Sequence, residues 1–384
     1  MKVAVLGGGG GVGSGAVEAL VKEKEVERIV IGDINEKAGR SVLERFPCDH
    51  AEFQRVDMSR AENILPVIRG VDVVANCGWY YHNLEVMEAC LQAKAHYVDA
   101  GGLFHLTFKQ RALHDRFKKA GIVAALGYGI APGITNLAAS YCAKRLDKVS
   151  SVLIRIALFP EDTKFWEYFY ALPTVLDELF MDAPVFEGGQ LKMVPPLSRS
   201  AKVVFPEPVG EVMLYDTIHS ELATLPTSFG DKGVQEVRFQ LSWAPIKVEV
   251  SKILMDLGFS DDRALECHGG RISPRDFLPL VAEAQGVTGF VSRDLAIRIE
   301  VHGSKGKKPT HYVIGRTGIP PGLSVNLTGL SVAVGALLIG RGKMASSGVV
   351  PSELSVDPEL FMRELKARGL EFTEEVMTSQ TLGA

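Results

Sequence analysis

The first 127 residues alternate short apolar runs with stretches of helical periodicity. Lys2 to Leu6, Arg28 to Asp33, Glu52 to Asp57, Val71 to Gly78, His96 to Gly102 and Gly121 to Gly127 read as six strands. Lys2 to Leu6 is short, apolar and rich in Val, the pattern of a strand covered on both faces. Helical spacing fills the gaps, with helices expected at Asn35 to Phe46, Ala61 to Arg69, Asn83 to Ala93 and Leu106 to Lys119. Such alternation predicts a mostly parallel, doubly wound sheet.

After Gly127 the pattern changes. A turn rich in glycine and proline, Gly127 to Asn136, precedes a helix over Leu137 to Lys144. Ser151 to Phe159 then alternates like a half-buried strand. Phe165 to Phe180 is dense in aromatic residues, and Pro184 to Pro208 reads as loop. Gln235 to Ser242, Ala296 to Val301 and Thr310 to Arg316 read as strands, and Ile246 to Leu257 as a helix. This implies an α+β second domain on an antiparallel sheet. Leu323 to Gly340 carries no charge for 18 residues. Its Ser, Asn and Thr and its marginal length argue against a bilayer span, so the chain is expected to cross back and bury this helix on the first sheet. A last helix is expected at Pro358 to Arg368. The expected domains are 1–130, 131–320 and 321–384.

The first strand runs into Gly7 to Gly11, Val12 and Gly13 and then into a helix. Gly8-x-Gly10-x-x-Gly13 therefore lies in the strand-turn-helix context of a dinucleotide-binding fingerprint. Gly11 and Val12 fall on the same phosphate-facing turn, and Gly7 and Gly9 leave the register open by one residue. Asp33 closes the second strand about 20 residues later, where an acid takes the ribose hydroxyls. It favours NAD, although Arg40 keeps NADP open. Asp57, Asn76, Cys77, Gly78 and Gly101 lie at further strand ends facing the same cofactor; Asp57 reads equally as an exposed strand-end acid.

Composition adds exclusions. With 384 residues, 46% hydrophobic and 23% charged, a formal net charge of -4 and no long charged block, the chain offers no electrostatic case for nucleic acid. Lys305 to Lys308 reads as a hairpin turn. Five cysteines without a CxxC pair suit a reducing compartment, with cytoplasm the default. Cys267-His268 lacks further ligand spacing, so no metal is expected. The strand beginning at residue 2 leaves no room for a signal peptide.

Taken in order, the glycine fingerprint, Tyr97-Val98-Asp99-Ala100-Gly101-Gly102, Gly129-Ile130-Ala131-Pro132-Gly133-Ile134-Thr135-Asn136, Ser220-Glu221-Leu222-Ala223-Thr224-Leu225-Pro226, Arg316-Thr317-Gly318 and Gly348-Val349-Val350-Pro351 resemble the saccharopine dehydrogenase family. That family includes saccharopine reductases, lysine 6-dehydrogenase-like proteins and carboxynorspermidine synthases. The resemblance spans nearly the whole chain. It implies a Rossmann domain interrupted by an α+β substrate and dimerisation domain, and a homodimer. It also implies NAD(P)-dependent oxidation or reduction of a C–N bond in an amino acid or amino-acid adduct. Asp99-Ala100-Gly101-Gly102 departs from the lysine 6-dehydrogenase pattern, in which serine and phenylalanine follow the aspartate.

Such chemistry needs a base for the amine proton. Asp99, at a strand end, is the first candidate, against the reading of a carboxylate capping a turn. His105 is a candidate shuttle, since imidazoles as a class exchange protons near neutrality, or a surface histidine, and Tyr128 lies at the next strand end. Tyr80 and Tyr81 stack on the nicotinamide, line a substrate pocket, or pack against the second domain. Asn136 sits where a helix N-terminus faces an anion. Glu221 and Arg316 are candidate substrate groups or members of an ion pair, Arg316 suiting a carboxylate. Two rival functions remain: a regulatory protein that binds NAD(H) without turnover, and a reductase of a carbonyl without nitrogen.

Overall fold

In the computed structural model, residues 1–286, 294–320 and 326–379 are described. The chain divides into two compact units, one built from 1–147, 223–231 and 320–371, the other from 148–222, 232–319 and 372–384.

The first unit is built on a seven-stranded parallel sheet. Six strands follow in chain order, β1 (Lys2–Leu6), β2 (Arg28–Asp33), β3 (Ala51–Arg55), β4 (Val73–Asn76), β5 (His96–Asp99) and β6 (Val123–Leu126). The seventh, Gly348–Pro351, comes from the returning chain and pairs in parallel with β6, so the sheet order is Gly348–Pro351, β6, β5, β4, β1, β2, β3. Chain order reverses between β1 and β4, which opens a crevice beyond their carboxyl ends. Val3, Val5, Ile29, Ile31, Val73, Val74 and Val98 are fully buried. Their burial on both faces accounts for the continuous apolar runs.

The helix after β1, α1 (Gly11–Leu20), packs along the returning helix Leu327–Gly340, whose first turn is capped by Asn326 accepting from Gly329 N at 2.9 Å. A methyl group on Gly329 would lie 2.2 Å from the Val12 carbonyl oxygen and 2.6 Å from Ala16 N; one on Gly15 would lie 2.8 Å from Asn326 Cβ. The two helices touch backbone to backbone. This helix is 14 residues long and buried along most of its length, and no described helix is long and apolar enough to cross a membrane.

The second unit holds a nine-stranded sheet. Its central strand, Lys148–Phe159, pairs antiparallel with Asp294–Lys305 but parallel with Glu236–Ser242, so the expected antiparallel sheet is mixed. Asp294–Lys305 continues through a hairpin turn into Lys308–Thr317, with Gly306 in a left-handed conformation. The segment expected as loop, 184–208, instead carries strands Ala183–Glu187, Gln190–Val194 and Ser200–Val204. Pro195 falls between the second and third of these strands, Pro206 and Pro208 after the third, and Pro184 near the start of the first, where a missing N–H is tolerated. The chain ends by adding Thr373–Thr378 beside Lys308–Thr317. Every residue of that strand is exposed, which explains why no apolar alternation announced it. The expected helix Leu106 to Lys119 is two, Phe104–Arg111 and His114–Ala120.

The helix contact gives the first prediction. Gly329→Ala is expected to cost about 1–3 kcal/mol by overpacking and to lower the melting temperature measured by circular dichroism. An unchanged melting temperature would show that α1 and the returning helix are not held by that approach.

Candidate functional site

The glycine turn is shaped by three close approaches. Gly7 is left-handed, with φ of +72°, and a methyl there would lie 2.6 Å from Gly78 N. On Gly9 a methyl would lie 2.9 Å from Gly39 N, and on Gly13 it would lie 2.2 Å from Gly7 O. Gly8 is tight as well, its methyl meeting Ile31 Cγ2 at 2.6 Å, whereas at Gly10 the nearest atom is 3.4 Å away. Crowding thus accounts for glycine at Gly7, Gly8, Gly9 and Gly13, while Gly10 keeps an open face on the turn. Gly10 and Gly11 instead form the exposed face of the turn.

At that face the first helical hydrogen bond runs from Ser14 N to Gly10 O at 2.9 Å. The amides of Gly11, Val12 and Gly13 thus precede any intrahelical acceptor and sit at the positive end of α1. No acidic side chain occupies the first turn. Gly9 N donates to Asp33 Oδ2 and Asn35 N to Asp33 Oδ1, both at 2.9 Å, which fixes the carboxylate beside the turn. The amides, the bare glycine surface and the anchored acid fit the pyrophosphate and ribose of a dinucleotide. Arg40 is paired with Glu36 at 2.8 Å. Ile34, exposed next to Asp33, went unnoticed in the sequence because it follows the strand pattern. Asp57 accepts from Ser59 N at 2.9 Å, and that hydrogen bond holds its carboxyl below the usual range.

At the ends of β4 to β6 a buried polar network takes over. Asp99 is 1% exposed. Its Oδ1 accepts from Gly127 N at 2.7 Å; its Oδ2 accepts from Tyr97 Oη at 2.8 Å, Gln110 Nε2 at 2.7 Å and Asn83 Nδ2 at 3.3 Å. Asn76 Nδ2 extends the network to Asn83 Oδ1 at 2.8 Å. Burial pushes the Asp99 carboxyl up while these donors pull it back. The carboxylate expected to face substrate is enclosed by donors and ties β5 to β6. Tyr128 is likewise buried, its hydroxyl bonded to Ser355, and burial raises its pKa. Asn136 lies inside too, donating to Glu353 Oε2 at 2.9 Å.

The surface beside this network holds the other candidates. Cys77, half-buried, has its thiol pushed up to about 12 by burial and then by Asp99. A methyl on Gly78 would meet Met58 Cε at 2.3 Å. Tyr80 is buried, whereas Trp79 and Tyr81 are exposed, with ring centroids 4.7 Å apart. Gly101 has φ of +124°, and His105 is exposed at the start of the following helix.

In the second unit Glu221 is fully buried and bonds His219 Nδ1, while His219 Nε2 lies 3.9 Å from Glu178. Glu178 bonds the hydroxyl of Tyr170, and His219 stacks on Phe239 at 3.8 Å. Burial raises Glu178 to about 7; the two glutamates raise His219 against its own burial. Glu178 and His219 were not picked out in the sequence, although an Asp177-Glu178 pair inside the apolar run Leu176 to Phe180 is a signal. Arg316 Nε donates to Gly318 O at 2.9 Å.

Residues 3–125 match the saccharopine dehydrogenase NADP binding domain, and 129–370 match the saccharopine dehydrogenase C-terminal domain. The chain belongs to the saccharopine dehydrogenase family, and its first domain binds a nicotinamide dinucleotide. It is 24% identical to a carboxynorspermidine synthase of Vibrio alginolyticus, over 94% of this chain and 95% of that protein. It is 23% identical to a carboxyaminopropylagmatine dehydrogenase of Synechocystis, over 96% of each. Its fold is similar to that of saccharopine dehydrogenase (L-Glu forming) from Saccharomyces cerevisiae, with a TM-score of 0.74 at 16% identity, covering 98% of this chain and 99% of that one.

The buried carboxylates lead to two further predictions. Asp99→Asn turns one acceptor into a donor that faces donors only, and is expected to cost about 1–3 kcal/mol, read as a lower denaturation midpoint; a wild-type midpoint would refute the network. Glu178, with an unfolded pKa of 4.5 and a folded value of about 7, holds its proton longer in the native state, and His219 is shifted in the same upward sense. The stability each contributes is fully present below its unfolded pKa and is lost as pH rises through the folded one. Melting temperature should therefore fall from about pH 5 to beyond pH 7, and Glu178→Gln should flatten the lower part of that slope. An unaltered slope in the variant would show that Glu178 does not titrate with folding in this range.

Proposed function

We propose that this member of the saccharopine dehydrogenase family is an NAD(P)-dependent oxidoreductase of a C–N bond that joins an amino-acid-derived carbon chain to an amine. The observation that carries the reading is full-length similarity, through both domains, to relatives whose names denote carboxylated polyamine-type compounds. The buried Glu178, His219 and Glu221 cluster agrees with an amine-bearing substrate, because paired carboxylates favour a cation. Lysine itself is disfavoured by Ala100-Gly101-Gly102 after Asp99.

Bound at the glycine turn, a nicotinamide dinucleotide supplies or accepts the hydride at the C–N carbon. Gly11, Val12 and Gly13 would hold its pyrophosphate through their amides, and Asp33 its ribose hydroxyls. NAD is preferred over NADP, since Asp33 repels a 2′-phosphate and Arg40 is engaged by Glu36. Asp99 acts as a positioning residue: by tying β5 to β6 it fixes the backbone of Gly101 and Tyr128 at the nicotinamide end of the crevice. Trp79, Tyr81 and His105 are all exposed and remain able to meet substrate, with His105 the candidate for moving the amine proton.

The deciding experiment supplies the purified chain with NADH or NADPH and a panel of amino-acid-derived aldehydes and keto acids, each with and without diamines or basic amino acids, and follows cofactor absorbance. Oxidation of NADH that requires both carbonyl and amine is expected, with NADH bound more tightly than NADPH in a fluorescence titration. Turnover of a carbonyl alone would point to an ordinary carbonyl reductase. Tight cofactor binding with no turnover across the panel would favour a sensor, and tighter NADPH binding would overturn the cofactor preference.

A further inference from the structure

We propose that Glu300, His302 and His311 form a binding site for one divalent transition metal ion, Zn2+ by its donor chemistry, clasping the hairpin formed by Asp294–Lys305 and Lys308–Thr317. The register puts His302 directly opposite His311 across the hairpin, and Glu300, two residues before His302, emerges on the same face of the sheet. One ligand atom from each lies within 4.8 Å of the others. The imidazoles stack at 3.7 Å and 16°. His311 Nε2 is buried, makes no hydrogen bond to the described residues and lies 3.5 Å from Glu300 Oε2; His302 Nε2 lies 3.8 Å from the same oxygen.

These separations approach the edge of a tetrahedral zinc site. Zinc bonds of about 2.0–2.2 Å to nitrogen and oxygen place neighbouring donors roughly 3.3 Å apart, so each imidazole nitrogen needs to move only a few tenths of an ångström towards Oε2. The other carboxylate oxygen, Oε1, is bonded by Arg155 and by Arg298 Nε, the latter at 2.8 Å. The two oxygens thus play different parts. Oε1 is anchored by the guanidinium groups, and Oε2 is turned towards the imidazoles, as an outer shell orients a ligand. His302 is 37% exposed, which leaves a water-accessible fourth position. Two imidazoles and one carboxylate select zinc, nickel or copper over magnesium or calcium. The site escapes sequence motifs because its histidines are nine residues apart and meet only through strand pairing.

The test titrates metal-stripped full-length protein with Zn2+ near neutral pH by calorimetry, with Mg2+ as control, and follows the melting temperature. One zinc per chain and a higher melting temperature are expected. His302→Ala and His311→Ala should each weaken binding by more than the roughly tenfold that loss of an outer-shell partner costs. Cys48, whose Sγ lies 3.0 Å from His50 Nδ1, and the adjacent Cys267 and His268 are the competing zinc ligands; a Cys48→Ser, Cys267→Ser protein should bind as the wild type does. Co2+ bound to the wild type should show tetrahedral d–d absorption without a thiolate charge-transfer band, a readout that needs no variant to fold. Absence of saturable binding, binding that survives loss of both His302 and His311, or binding lost with the cysteines would each overturn the site.

Discussion

The constraint on which the first domain depends is the placement of α1 between two backbones. On one side Gly13 lies against the Gly7 carbonyl, where a methyl group would approach to 2.2 Å; on the other, Gly15 meets Asn326 and Gly329 meets the Val12 carbonyl. Close packing on both sides leaves α1 little room to slide or tilt without breaking van der Waals contact, because protein interiors are packed to near-crystalline density. Its unsatisfied amides are therefore held in one place relative to Asp33, which is itself fixed by Gly9 N and Asn35 N. A pyrophosphate site of this kind costs little reorganisation when ligand arrives. The same contact explains why the chain returns after the second domain. Leu327–Gly340 is apolar nearly all round and needs a neighbour to cover it, and α1 provides a glycine-lined one.

Much of this was legible in the chain. Strands β1, β2, β4 and β6 were marked by runs of Val, Ile and Ala, since a strand covered on both faces has few polar positions to blur its limits, whereas β3 is mixed in character and only partly buried. Asp33 was legible from its spacing to the glycines. The register of the glycine turn stayed open by one residue, because five consecutive glycines carry no steric label. The strand Gly348–Pro351 was quoted as a motif but gave no sign of completing the first sheet, being four residues long and dependent on a partner more than 200 residues away. Thr373–Thr378 lay beyond reach for the opposite reason: it is exposed throughout, and its strand character comes from pairing alone.

The candidate site divides along similar lines. Positions at strand ends were found by topology, and topology says nothing about which way a side chain turns. Asp99, Tyr128 and Asn136 occupy the expected strand and helix ends but point into the protein, and their hydrogen bonds go to Gln110, Ser355 and Glu353. None of these partners is adjacent in the chain, so no local pattern signalled them. Glu178 and His219 were missed because an acid in an apolar helical run and a histidine beside a glutamate look unremarkable until folding sets them against one another.

Four buried carboxylates show how differently this protein treats one functional group, and the differences bear on where a proton can move. Asp99 is surrounded by neutral donors that cannot give up a proton near neutrality, so its environment stores no exchangeable proton. Glu353 is held by the Asn136 amide and the Ser228 hydroxyl, at 2.9 and 2.8 Å, with the same consequence. Glu300 faces two guanidinium groups and stays ionised through the physiological range. Of the four, Glu178 alone shares an imidazole with a second buried acid, in the group it forms with His219 and Glu221. There burial and mutual charge bring Glu178 to about 7 while raising His219. Chemistry at a C–N bond requires an amine to gain or lose a proton as the hydride moves. Glu178 and His219 are thus the pair in the second unit placed to share a proton near pH 7.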